Sequence, residues 1–181
     1  LLRDLLNVFD KYHKTLVYRI WSIGIGEMGD IHQDPSAYDR LLGEFENENN
    51  LVVSMKYVQG DFYRYLPFNP NIGHGKMRQI VEIEAFPEYG GFSMYPNYLA
   101  EIFQELMSDL RREHATPFGL WVWVQEGAAP KMEGGFGPFT LFLFRGFWSN
   151  TDANAYAFSK IAWDPDLDVN NTTYAWAVKT F

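Results

Sequence analysis

The chain contains no cysteine. Disulfide staples, thiolate nucleophiles and cysteine-ligated metals are therefore excluded. No stretch reaches the roughly 18 apolar residues that a membrane-spanning helix needs. No basic segment precedes a short apolar one, so no export signal is visible. Histidine is sparse and scattered: His13, His32, His74 and His114 show neither the H-x-x-x-H nor the H-E-x-x-H spacing of a metal site. Positive charge is scarce too. The net charge is −8 and the isoelectric point about 4.9, without a Lys/Arg cluster, which argues against nucleic-acid and anionic-membrane partners. An initiating methionine is also lacking. The chain starts Leu-Leu-Arg and ends Lys-Thr-Phe directly after a helix-like segment, so a piece of a longer protein is expected. The compartment is then not legible.

What is present is aromatic and apolar. Hydrophobic residues make up 47% of the chain and aromatics 18%, enough for a sizeable core. Tryptophan and tyrosine also line sugar sites, because ring faces stack on the apolar faces of pyranoses.

Helix and strand patterns alternate along the chain. Arg3 to His13 reads as a helix and Thr15 to Ile23 as a strand. Asp34-Pro35-Ser36 starts a helix that runs to about Phe45, with Asp at the cap and Pro in the first turn. Leu51 to Tyr57 and Arg78 to Phe86 read as strands, Pro96 to Glu113 as a helix and Gly119 to Val124 as a fourth strand. Helices follow at Ala153 to Trp163 and Val169 to Phe181, broken at Asp164-Pro165-Asp166. Such alternation predicts an α/β fold with a parallel sheet and covering helices. About four strands are half of a (β/α)8 barrel, which takes roughly 250 residues. The expected organisation is a partial barrel over 1–152, the C-terminal half, followed by the start of a helical region over 153–181.

Several motifs invite chemistry and fail on their context. Gly24-Ile25-Gly26-Glu27-Met28-Gly29 satisfies G-x-G-x-x-G, but the predicted helix begins only after Pro35, too late to meet a pyrophosphate. A βα loop is the better account. Asp164 to Asp168 resembles a calcium loop, yet Ala175 stands where the closing glutamate belongs. Ser22, Ser54 and Ser93 lack a nucleophile elbow.

Polar residues at predicted strand ends remain: Arg19, Lys56, Asp61, Glu88, Gln125 and Glu126. In a barrel that rim carries the chemistry. Asp61 and Glu88 follow consecutive strands and can converge, and glycoside hydrolysis needs two carboxyl groups across the scissile bond. Arg19 and Lys56 supply cations on the same rim, as a substrate with its own carboxylate requires.

At these residues the chain resembles a known family. V-S-M-K-Y-V-Q-G-D-F, P-F-N-P-N-I-G, Q-I-V-E-I-E-A-F-P-E-Y-G-G and N-A-Y-A-F-S-K-I-A-W-D-P-D-L are similar, in order and rough spacing, to stretches of the α-glucuronidases of glycoside hydrolase family 67. L-V-Y-R-I-W is similar to its strand carrying an arginine. The resemblance runs from Thr15 to Phe181. It implies that Asp61 and Glu88 are the two carboxylates from which the general base of an inverting mechanism is drawn. It implies that Arg19 and Lys56 bind the uronate carboxylate, and that Trp148 lines the sugar pocket. The implied partner is a xylan-derived oligosaccharide carrying α-linked glucuronic or 4-O-methylglucuronic acid. No cofactor is implied, and a homodimer of the longer protein is an expectation. The family's proton-donating glutamate would precede Leu1. Its paired histidines are replaced here by Ser149-Asn150-Thr151-Asp152-Ala153, and Phe62-Tyr63 follows Asp61, which marks a divergent relative. A sugar-binding relative without catalysis and a uronic-acid lyase are the alternatives.

Overall fold

The computed structural model of the chain describes residues 1–21, 29–59, 66–85, 98–123 and 149–181. Its elements are α1 (Leu2–Lys11), β1 (Leu16–Arg19), α2 (Pro35–Leu42) with a 3₁₀ turn at Gly43–Phe45, β2 (Leu51–Lys56), β3 (Arg78–Glu84), α3 (Ala100–Arg112), β4 (Gly119–Trp123), α4 (Ser149–Trp163) and α5 (Val169–Thr180). The strands form one four-stranded parallel sheet in the order β1-β2-β3-β4. Sequential order without a reversal is how neighbours sit in a (β/α)8 barrel, whereas a doubly wound sheet reverses at its switch point.

Two compact units make up the chain. The first holds α1, β1, α2, β2, β3 as far as Glu82 and β4 as far as Trp121. Its centre is β2, all six of whose residues are buried, as a strand covered on both faces requires. Register pairs Arg19 with Ser54, Met55 with Val81 and Lys56 with Glu82. Because side chains alternate, Val53, Met55 and Val81 form one apolar face, each fully buried, while Arg19, Ser54, Lys56 and Glu82 share the other. The cap of α2 is the expected one. Asp34 accepts from the backbone N–H groups of Ser36 at 2.9 Å and Ala37 at 3.4 Å, and Pro35 is the first helical residue. The bond from Ser36 Oγ, joined by these N–H groups, holds the Asp34 carboxyl below its ordinary value.

The second unit holds α3, α4 and α5. Phe103, Leu106 and Leu110 of α3 recur on one helical stripe and are buried, as are Ala157, Phe158 and Ile161 of α4. Phe103 and Phe158 meet edge to face at 5.3 Å. Asn154 of α4 is buried and satisfied: its Oδ1 accepts from Leu99 N at 2.8 Å and its Nδ2 donates to Ala85 O. Asp164-Pro165-Asp166 does separate two helices. Asp168 caps α5 through Asn171 N at 2.7 Å, and Asp166 takes a two-pronged bond from Arg111 at 2.7 and 3.2 Å.

Candidate functional site

Arg19 and Lys56 are the last residues of β1 and β2, on the rim where the sequence places them. Asp61, Glu88 and Trp148 lie outside the described residues, as do Gln125 and Glu126 and the 22–28 portion of the glycine-rich loop. Around Arg19 and Lys56 the first unit assembles a constellation from four strands and two loops.

Its anchor is Glu82, two residues before the end of β3 and wholly buried. Arg19 Nε donates to Glu82 Oε1 and Oε2 at 3.1 and 2.9 Å, and Nη2 donates to Oε1 at 2.6 Å. Ser54 Oγ, also buried, donates to Oε2 at 3.4 Å and accepts from Trp121 Nε1 at 3.0 Å. A carboxylate at this depth requires a charged partner and several donors, and it has both. The guanidinium fork of Arg19 is thereby fixed in direction.

Lys56 stands beside an aromatic ring. Its side chain is almost wholly buried, and its ammonium stands 3.8 Å from the ring centroid of Trp21. The Arg19 guanidinium carbon is 5.8 Å from the same ring. Both are cation–π distances, so one indole faces two cations from adjacent strands. Trp21 is itself 37% exposed, leaving ring surface open to solvent.

His32 seats the other side of this arrangement. Its ring centroid is 4.9 Å from that of Trp21. Nε2–H donates to Val58 O at 3.0 Å, and Nδ1 accepts from Asn69 Nδ2 at 3.3 Å. A carbonyl only accepts and an amide N–H only donates, so these partners select the neutral imidazole with its proton on Nε2. Burial drives the His32 pKa below its ordinary value, consistent with that form. Asn69 Nδ2 also donates to Lys56 O at 3.1 Å, and Asn71 Nδ2 donates to Ile31 O and His32 O, each at 3.0 Å. Asn69 and Asn71, both buried, thus form a clamp that ties the end of β2 to residues 31 and 32.

A concavity of about 320 Å³ opens at the other end of β3, lined by His74, Lys76, Arg78, His114 and Phe118 among others. There His74 bonds Asp39 at 2.8 Å, and Arg78 donates to Asn49 O. It lies away from every sequence-predicted site residue that the structure describes.

Sequence reading missed Glu82, Trp21, His32 and Trp121, and weighed Ser54 only as a nucleophile. One signal was available. Glu82 is an acid inside an apolar strand, and a buried acid demands a cation, for which Arg19 and Lys56 were the candidates.

Comparison with known proteins places the chain near one group without defining a family. It is 26% identical over 149 residues to a protein named probable alpha-glucuronidase A from Aspergillus flavus, covering 80% of this chain and 17% of that protein. It is 26% identical over 145 residues to the protein of the same name from Aspergillus clavatus, covering 78% of this chain and 17% of that protein. The chain therefore spans about a sixth of the length of these curated relatives. No family model matches it. The similarity is that of a distant relative.

Proposed function

We propose that the chain is the C-terminal half of the (β/α)8 barrel of a glycoside hydrolase similar to α-glucuronidases. The reaction is release of an α-linked glucuronic or 4-O-methylglucuronic acid from xylan-derived oligosaccharides, with inversion. The observation that carries this is the rim itself. Arg19 and Lys56 end neighbouring parallel strands, 5.8 and 3.8 Å from one part-exposed indole, an arrangement suited to a sugar that bears a carboxylate. The names of the relatives support the same class.

In this scheme one of Asp61 and Glu88 takes a proton from water. The water oxygen attacks the anomeric carbon, the glycosidic bond breaks toward the leaving oxygen, and an acid in the part of the protein before Leu1 protonates that oxygen. Arg19, Lys56 and Trp148 hold the sugar.

The test uses the full-length protein with a 4-O-methylglucuronic-acid-substituted xylo-oligosaccharide. Asp61→Asn or Glu88→Gln, whichever removes the base, should lower kcat by roughly 10²–10⁴-fold with little change in KM. Lys56→Ala should weaken recognition by about 2–5 kcal/mol, the cost of stripping a desolvated charge of its partner. A neutral glucoside should not feel that loss. Full turnover in both carboxylate variants would remove Asp61 and Glu88 from the mechanism. Binding without turnover by the native protein would favour a sugar-binding relative, and an unsaturated product a lyase.

A further inference from the structure

The described part of the rim contains one residue that the family resemblance does not single out and that touches both cations. Trp21 lies two residues beyond the end of β1. Its indole is 3.8 Å from the Lys56 ammonium and 5.8 Å from the Arg19 guanidinium carbon, and it rests against His32 at 4.9 Å. Arg19 is gripped through three bonds by Glu82, so its position survives without the indole. The long, flexible Lys56 side chain has four rotatable bonds, and a π-face 3.8 Å from its ammonium restricts where that charge can sit.

The support beneath Trp21 is rigid. His32 has both ring nitrogens committed, to Val58 O and to Asn69, and Asn69 also bonds Lys56 O. The platform for the indole and the backbone of Lys56 are therefore parts of one buried network. Facing the indole are Arg19, Lys56 and His32; Asp30, whose Oδ1 accepts from His32 N at 2.8 Å, and Glu82 act electrostatically on His32.

We propose that Trp21 is a specificity-determining residue of this rim: its indole fixes the position of the Lys56 ammonium and so sets the preference for a sugar bearing a carboxylate over a neutral one. This rests on the function proposed above and deepens it. Trp21 acts through Lys56 and is a positioning residue, with no part in bond making.

The experiment has two arms, each on the full-length protein. In protein labelled with ¹³C at lysine Cε, the Lys56 methylene, assigned by its disappearance in Lys56→Arg, should resonate upfield through the indole ring current. Trp21→Leu should return it to the ordinary lysine position while the other lysine signals stay in place. In the second arm, D-glucuronate and D-glucose are titrated by NMR. Trp21→Leu should weaken glucuronate by about tenfold, the equivalent of one desolvated cation–π contact, and leave glucose unchanged. Trp21→Phe, which keeps a π-face, should recover part of the loss.

An equal loss for both sugars would make Trp21 merely structural and overturn the proposal. Unchanged glucuronate affinity in Trp21→Leu, or an unshifted Lys56 signal in the native protein, would overturn it as well. If the native protein shows the shifted signal and binds neither sugar, the proposed function fails. The specificity role then falls with it, and the ammonium–indole contact alone stands.

Discussion

Replacing Arg19 tests whether its bond to Glu82 is structural. Glu82 is fully buried and receives three bonds from Arg19 and one from Ser54. Arg19→Met removes three of these four and the only cation that bonds the carboxylate among the described residues. Orphaning one member of a buried pair costs about 3–5 kcal/mol. Arg19 is 37% exposed, so water can enter where the guanidinium stood, and the lower figure of about 3 kcal/mol is expected. Glu82→Leu alone leaves a cation that can turn toward solvent and should cost less, about 1–2 kcal/mol. The double variant Arg19→Met, Glu82→Leu removes both charges and should be less destabilised than Arg19→Met alone. The coupling in the cycle should be about 2 kcal/mol. Urea unfolding of the four proteins measures it, provided the m-values agree. Additive losses within about 0.5 kcal/mol would refute the claim that the two side chains depend on each other.

Three further outcomes follow from single residues. His32 has a lowered pKa in the folded state, so the unfolded chain binds more protons once the pH drops below its ordinary 6.5; stability should fall on acidification through that value, and His32→Gln should flatten the slope of unfolding free energy against pH there. Gln79 Nε2 donates to Asn71 O and His74 O, each at 2.9 Å, and its Oε1 accepts from Gly73 N at 2.8 Å; Gln79→Leu leaves these groups unmatched and should lower stability by about 3 kcal/mol, read by urea titration. Gly73 has φ +81° and a Cβ there would lie 3.1 Å from Ala115 Cβ, so Gly73→Ala should lower the melting temperature, whereas Gly43→Ala, which meets nothing within 4 Å, should not.

The elements were legible where local chemistry decides them. Leu51 to Met55 is apolar but for Ser54 and becomes the buried central strand. Asp34-Pro35 carries both a cap and a fixed φ, and α2 begins there. Strand ends were less so. The reading of β1 ran to Ile23, whereas the strand ends at Arg19, although Ile20 N still donates to Ser54 O at 2.9 Å. Of the residues that meet at this rim, the sequence singled out Arg19 and Lys56; Asp61, Glu88 and Trp148 lie outside the described residues. Glu82 finds its partner 63 residues away, and the ring nitrogens of His32 find theirs 26 and 37 residues away. Such pairings are set by strand register and loop docking, which no short window of sequence contains. The side chains of Asn69 and Asn71, which clamp the loop between β2 and β3, likewise find partners far away in sequence.

Register is also what joins the core to the rim. Side chains in a strand alternate, so a slip of one residue exchanges the two faces. Val53, Met55 and Val81 are each fully buried on one face, and a one-residue slip between β2 and β3 would move apolar groups out of it and drive charges in. The apolar set therefore fixes the pairing of Lys56 with Glu82 and, through β1, of Arg19 with Ser54. With that pairing fixed, Arg19 can reach across β2 to Glu82 over Ser54, whose small side chain leaves the path open and donates to the same carboxylate. A small apolar residue at 54 would keep this reach open and the strand able to fold while removing the hydroxyl. Ser54→Val is thus the change that separates rim from core. It should preserve the sheet, measured by far-ultraviolet circular dichroism, and cost about 1–3 kcal/mol through the lost hydroxyl bonds to Glu82 and Trp121. A Ser54→Val protein as stable as the native one would mean that the hydroxyl contributes nothing to holding Glu82, and that Arg19 alone carries the buried carboxylate.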